Sequence, residues 1–199
     1  MKFARSKVRI ETRGKIIKDC ALLMMENGYF SVSVPELEKA SGKTKAVLYG
    51  YFINKNELAM AVLDYNLEGQ RKAVNELVNL SITNRDKLMA HILFYYPKTE
   101  FTLAGSGCHL FNAAAEACNT CHEMKQRVTK ALLLWQQDIV KILQDGVDQK
   151  EFKAEIPVDG IAWQIIALIE SAILISKTMQ DKKPGIQLLD QAKCLVANL

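Results

Sequence analysis

The sequence is poor in helix breakers and has no segment in which apolar and polar residues alternate. Only four prolines and ten glycines are spread over 199 residues. The lack of alternation excludes a β-rich fold, because a half-buried strand needs a two-residue period. Nearly half the residues are apolar, which excludes an intrinsically disordered chain. The longest apolar stretch, Gly160 to Ser176, is interrupted by Gln164 and Glu170 and reads as too short and too polar to span a membrane. Lys2, Arg5, Lys7 and Arg9 are followed by no apolar core, which argues against a secretory signal. The five cysteines (Cys20, Cys108, Cys118, Cys121 and Cys194) are an odd number and suggest no disulfide framework. The expectation is a cytoplasmic protein with no membrane partner.

What is present is helical periodicity and an uneven charge. Residues 1–60 hold eleven Lys/Arg against six Asp/Glu, whereas the remainder holds fifteen against sixteen. A basic N-terminal third on a near-neutral body suggests that one end meets a polyanion.

The first helix is expected over about Thr12 to Glu26, with Ile17, Cys20, Ala21 and Met24 inward and Asn27-Gly28 as its stop. Ser33 and Glu36 have the spacing of a capping box, with Pro35 tolerable in the first turn. Gly42 ends that second helix, and Thr44 can cap a short third one anchored by Leu48 and Phe52. Asn54 and Glu57 open a fourth helix that reaches about Leu80. Five further helices are expected near 85–96, 107–117, 122–149, 158–180 and 185–198, with Pro97 to Gly107 as the longest loop and Pro157 and Pro184-Gly185 as boundaries. The fold class is therefore all-α with about nine helices: a three-helix N-terminal domain over residues 1–55 and a larger helical domain over 56–199.

A helix, a turn and a short anchored helix make a helix-turn-helix, whose second helix enters the major groove. Lys45 can reach a guanine edge or a phosphate, and Val47 a thymine methyl. Ala46 permits close approach, and the hydroxyls of Tyr49 and Tyr51 suit phosphates. Lys55 adds a cation beside a helix N-terminus. The same pattern also fits an ordinary helical bundle with surface tyrosines.

Thr12-Arg13, Ile16-Ile17, Gly28-Tyr29, Ser33-Val34, Leu37, Ala40-Ser-Gly42, Thr44-Lys45, Leu48-Tyr49, Phe52, Lys55 and Glu57-Leu58 resemble, in order and spacing, the TetR family of bacterial transcriptional regulators. The specific match covers about residues 10–60. The resemblance implies DNA contacts at Lys45, Ala46, Val47, Tyr49 and Tyr51, with Ser33, Thr44 and Lys55 near phosphates. Ala46, Val47 and Tyr51 depart from the family's frequent glycine, threonine and histidine, which bears on base preference. Glu38 stands where a small residue usually packs, and Gly14 weakens the first helix by about 1 kcal/mol relative to alanine.

The resemblance also implies a homodimer on palindromic double-stranded operator DNA, with the last two long helices forming the interface. Ile161, Ile165, Leu168, Ala172 and Ile175 form one apolar stripe and Ala162, Ile166, Ile169, Ile173 and Ser176 a second. A helix apolar on two sides needs two partners, so the first stripe, with Leu189 of the last helix, is assigned to the dimer seam. A fully buried core helix is the other reading. The implied small-molecule effector is largely apolar, and Phe94, Tyr95, Cys108, Phe111, Asn112, Trp135, Trp163 and Glu170 are its expected contacts.

The segment Gly107-Cys108-His109-Leu-Phe-Asn112-Ala-Ala-Ala-Glu116 resembles a glycine–cysteine motif of one TetR subgroup. A cysteine near a helix start and a histidine can react as thiolate, so a redox or electrophile sensor acting through Cys108 is the alternative to an effector-released repressor. Cys118-Asn-Thr-Cys121-His122 spells the c-type haem motif, but that chemistry needs an exported chain. A zinc site there, even with His109, lacks a clear fourth ligand. No nucleophile–base–acid set and no phosphate loop is apparent. The reading is a non-enzymatic regulator with neither cofactor nor metal.

Overall fold

The computed structural model describes residues 2–96, 109–117 and 121–199, the side chains of residues 2–6 and 109 excepted. Among the described residues there are nine α-helices and no strand: α1 Lys2–Asn27, α2 Val34–Ser41, α3 Lys45–Tyr51, α4 Lys55–Leu80, α5 Asn84–Leu93, α6 His109–Ala117, α7 His122–Asp148, α8 Val158–Met179 and α9 Lys182–Ala197. The expected loop from Pro97 to Gly107 lies outside the described residues.

Helix α1 begins ten residues earlier than the sequence suggests. Val8 and Ile10 are 59 % and 69 % exposed, so this segment lacks the inward stripe by which a helix is recognised. From Ile16 onward the stripe is present: Ile16, Cys20 and Met24 are fully buried. Helix α9 also starts earlier, at an Asp181 cap that accepts from the Lys183 N–H at 2.9 Å. Pro184, expected to mark a boundary, sits inside the first turn, where a missing N–H costs nothing.

Helices α1 to α3 pack around Leu37, Leu48 and Phe52, and α4 closes this unit with Leu58, Ala59, Val62 and Leu63. Asn66 of α4 is buried and donates to the Ala21 carbonyl at 3.2 Å and the Tyr29 hydroxyl at 3.1 Å. Beyond Asn66 the same helix turns to the body, against α5, α6 and α7.

Helices α8 and α9 corner the dimer question. With 22 residues and a mean hydropathy of 1.8, α8 is close to the expected 158–180 and is, by length and composition alone, apolar enough to cross a membrane. Much of both stripes is buried within its own chain. Ile161, Ile165 and Ala172 of the stripe assigned to the dimer seam are buried, as is Leu189 of α9, while Leu168 and Ile175 are half-buried. A helix apolar on nearly every side does not reveal from its sequence which side faces its own core. The side left outward carries Trp163, Ala167 and Leu174 on α8. Across the α8–α9 contact, a Cβ on Gly185 would collide with Ser176 Oγ and lie 2.7 Å from the Ala172 carbonyl oxygen.

Two glycine substitutions should therefore have opposite effects. A Cβ at exposed Gly14 meets nothing within 4 Å, so Gly14→Ala should stabilise by about 1 kcal/mol through helix propensity. Gly185→Ala meets a backbone atom that cannot move aside, and should destabilise by about 1–3 kcal/mol despite the same propensity gain. Thermal melts followed by circular dichroism should show the first midpoint rise and the second fall, by about 2–4 °C per kcal/mol.

Candidate nucleic-acid interface and body cavity

The expected helix-turn-helix is formed with its anchors inside and its polar set outside. Gly42 takes φ +63° and ends α2 in the left-handed region, where glycine bears no Cβ penalty. Thr44 then caps α3, its Oγ1 accepting from the Val47 N–H at 3.4 Å. Leu48 and Phe52 are each 2 % exposed. Thr44, Lys45, Ala46, Val47 and Tyr49 are exposed together, which gives α3 a continuous outer face. Ser33 is exposed at the start of α2, where its N–H and hydroxyl both donate to Glu36 Oε2, at 2.8 and 2.6 Å. These bonds hold the Glu36 carboxyl below its ordinary range.

Two expected DNA-binding residues have intramolecular tasks. Tyr51 is half-buried, with the Arg9 guanidinium 5.5 Å over its ring, and Arg9 donates to the Gly50 carbonyl at 3.0 Å. A cation at this C-terminal end favours the helix dipole. Lys55 Nζ donates to the Phe30 and Val32 carbonyls at 2.6 and 3.0 Å. Two of its three N–H groups thus tie the α1–α2 turn to α4.

Glu38, whose packing the sequence left open, finds a use at the tip of α3. Its Oε1 accepts from the Lys45 N–H at 2.5 Å. Glu57 does the comparable work at α4, although not as a simple capping box. Asn54 Oδ1 accepts from the Glu57 N–H at 2.9 Å, while Glu57 reaches one residue further back, to the Ile53 N–H at 2.6 Å, and to Arg13 at 3.2 Å. The Ile53 bond is the main cause holding the Glu57 carboxyl below its usual range.

The body holds a cavity of about 500 Å³ between α4, α5, α6 and α7. That size suits a small molecule. Tyr95 and Trp135, both expected there, line it with their rings 5.9 Å apart. The other expected contacts are dispersed. Phe94 stacks edge-on against Tyr95 at 4.9 Å, Phe111 packs on the core, and Trp163 faces outward at 41 % exposure. Glu170 is half-buried on α8 and is not among the lining residues. Cys108 and Cys118 lie outside the described residues. Among the described cysteines, burial pushes the Cys20 thiol up to about 11, and no group of three metal-ligating side chains occurs.

Sequence reasoning missed the polar part of the wall. His91 sits on the inward stripe of α5 with Leu88 and Ile92, and Tyr95 follows in the turn after it, all nearly inaccessible. A histidine on such a stripe was the available signal. Two ion pairs connect α4 to α7 beside the cavity. Arg71 is bidentate to Asp138, both bonds 2.9 Å, and Arg127 joins Asp64 as well as Glu123.

Helix α6 faces both units. Leu110 lines the cavity. Asn112, expected in the pocket, instead donates to the Met25 carbonyl at 3.2 Å. Glu116 accepts from the Tyr29 and Phe30 N–H groups, both at 2.7 Å. One side of this helix thus touches the cavity while the other holds the α1–α2 turn.

Known proteins share this architecture along nearly the whole chain. The family model described as "Bacterial regulatory proteins, tetR family" matches residues 16–62, and "Tetracyclin repressor-like, C-terminal domain" matches residues 85–191. The chain is 25 % identical over 194 residues to the uncharacterized HTH-type transcriptional regulator YxaF of Bacillus subtilis, covering 94 % of this chain and 96 % of that one. It is 26 % identical over 125 residues to the HTH-type transcriptional repressor NemR of Escherichia coli, covering 60 % and 61 %. The crystal structure of a TetR-family transcriptional regulator from Cytophaga hutchinsonii matches with a TM-score of 0.90 and 28 % identity, over 95 % of this chain and 94 % of that one.

Two measurements probe these placements. Glu38→Gln keeps an acceptor for the Lys45 N–H but removes a negative charge from the face that would meet phosphates. Affinity for nonspecific duplex DNA, read by fluorescence polarization, should rise several-fold at low salt and converge with wild type at high salt. His91, its pKa lowered by burial from 6.5 to about 4 with Asp138 opposing, makes stability depend on pH. Between these values the unfolded chain binds a proton that the folded chain refuses. Stability should therefore be full above pH 6.5 and fall by roughly 3 kcal/mol as the pH drops to 4. Urea titrations across that window should show the slope, and His91→Phe should remove it.

Proposed function

The chain belongs to the TetR family of bacterial regulatory proteins, and from that premise we propose that it is a homodimeric repressor, released from a palindromic operator when a small molecule enters the body cavity. The observation that carries this reading is the division of α4. Its first half, through Leu58, Val62 and Leu63, closes the helix-turn-helix unit, and its second half, through Leu67, Arg71 and Val74, walls the cavity. A molecule that separates α4 from α7 therefore acts on the part of the helix that continues into the DNA-binding unit.

In this reading Lys45, Ala46 and Val47 read bases, while Thr44, Tyr49 and Ser33 position the phosphates. Tyr51 and Lys55 support the helix from within the protein. The dimer forms through the outward side of α8, with Trp163, Ala167 and Leu174, beside α9. One short recognition helix reads few base pairs, so two half-sites are needed for selectivity. Glu116 and Asn112 on α6 give the cavity a second hold on the DNA-binding unit. A coupling of a few kcal/mol between cavity and operator is enough for release.

The test is a polarization titration with DNA flanking its own gene. Wild type should bind one fragment selectively and with steep salt dependence. Lys45→Ala should weaken that binding by about 1–3 kcal/mol and relax base preference. Leu174→Glu should yield monomers by analytical ultracentrifugation and lose the operator while remaining folded. Equal, salt-insensitive binding of all fragments would remove the operator reading.

A further inference from the structure

His91 is a lining residue with a buried, unpartnered ring nitrogen. Its side chain is 1 % exposed, and its Nδ1 lies 3.2 Å from Trp135 Nε1. An indole nitrogen only donates, so Nδ1 must accept, and a neutral imidazole then carries its proton on Nε2. Burial holds the ring neutral, its pKa pushed down to about 4. The Asp138 carboxylate is the opposing influence on the ring, but it is engaged by Arg71 through both oxygens. His91 Nε2 itself has no partner. A buried donor left without an acceptor costs about 1–3 kcal/mol.

The rest of the wall narrows the choice of acceptor. Asp64, Glu68 and Asp138 are matched by Arg71, Arg127 and Lys130, so the cavity offers no net charge to a charged ligand. Leu67, Val74, Leu110 and Leu134, with the Tyr95 and Trp135 rings, supply apolar surface. A buried neutral donor favours a neutral acceptor, because an anion would leave water for a single uncharged bond.

We infer that this cavity takes a neutral molecule with a flat apolar body and one hydrogen-bond-accepting oxygen of carbonyl type, to which His91 Nε2–H donates. The inference rests on the reading of the cavity as the effector site and adds the chemical class. Nε2 is itself buried, so the acceptor reaches it as side chains of the wall adjust. Trp135 is a positioning residue: its indole fixes the tautomer that presents the donor.

Equilibrium dialysis with two probes of nearly equal shape tests this. 9-Fluorenone carries the carbonyl and fluorene does not. Wild type should bind fluorenone about tenfold more tightly, the size of one well-made hydrogen bond, and bind fluorene-9-carboxylate more weakly than either. His91→Phe should bind fluorenone and fluorene alike. A measurement on wild type guards against misfolding of that variant. In ¹⁵N-histidine NMR, His91 should be the Nε2–H tautomer, and its Nε2–H proton should move downfield with fluorenone but not with fluorene.

Equal binding of the two probes to wild type would overturn the inference while leaving the cavity as a binding site, as would a preference that survives in His91→Phe. Binding of neither probe would remove the cavity reading and the inference together.

Discussion

One helix shared between two cores is the constraint on which the structure depends. Helix α4 runs without interruption from Lys55 to Leu80, about 39 Å at 1.5 Å per residue. Leu58, Ala59, Val62 and Leu63 are buried against the helix-turn-helix unit, and Val74 is buried further along, at the cavity. Packed cores shift between discrete arrangements and do not deform gradually. The Asn66 bonds to Ala21 and Tyr29 tie α4, one residue before Leu67, to α1 and the turn that follows it. The Glu116 and Asn112 bonds reach the end of α1 and its following turn from the other side.

The recognition unit is small, and much of its order comes from polar bonds at helix ends. Helix α3 has seven residues, too few to be stable alone. Leu48 and Phe52 hold its inner side. Its N-terminus is closed by Thr44 and Glu38 and its C-terminus by Arg9. Each cap contributes about 1 kcal/mol, comparable to the propensity cost of several residues in so short a helix. Glu38 serves stability at the expense of affinity, since its carboxylate occupies the positive end of the helix dipole that a phosphate would otherwise favour. Such a residue shifts binding toward base contacts and away from nonspecific attraction.

The parts legible in the sequence were those whose partners lie nearby in the chain. Gly42, Thr44 and the Leu48–Phe52 spacing fixed the turn and the short helix because caps and anchors act within four residues. Ser33 and Glu36 were legible for the same reason. Arg9 to Gly50, Asn112 to Met25 and Glu116 to Tyr29 were not, because 41, 87 and 87 residues separate the partners. Helix α8 is a different case. Its period was plain, but apolar residues on both stripes left the inward direction undetermined; in the structure Gly185 of α9 lies against Ala172 and Ser176 of α8. In the cavity, large aromatic residues were the visible signal. They located Tyr95 and Trp135 but also drew in Phe111 and Trp163, because size alone does not distinguish a cavity wall from a core or an outer face.

The strength of the connection between α4 and α7 sets what a ligand would have to accomplish. The Arg71–Asp138 and Arg127–Asp64 pairs are partly exposed, with side-chain accessibilities from 28 % to 50 %. Pairs of that kind contribute at most about 1 kcal/mol each. The apolar contacts around the cavity are incomplete by about 500 Å³ of unfilled space, so packing holds α4 less tightly here than at Leu63. A buried His91 donor without an acceptor adds a further cost to the unliganded form. The last two terms have the same sign: each favours a filled cavity. A ligand that buries apolar surface against Tyr95 and Trp135 and satisfies His91 gains from both, whereas the ion pairs it must loosen are weak. The proposed release of DNA thus requires no strong interaction to be broken, only a filled cavity whose best packing differs from that of the empty one.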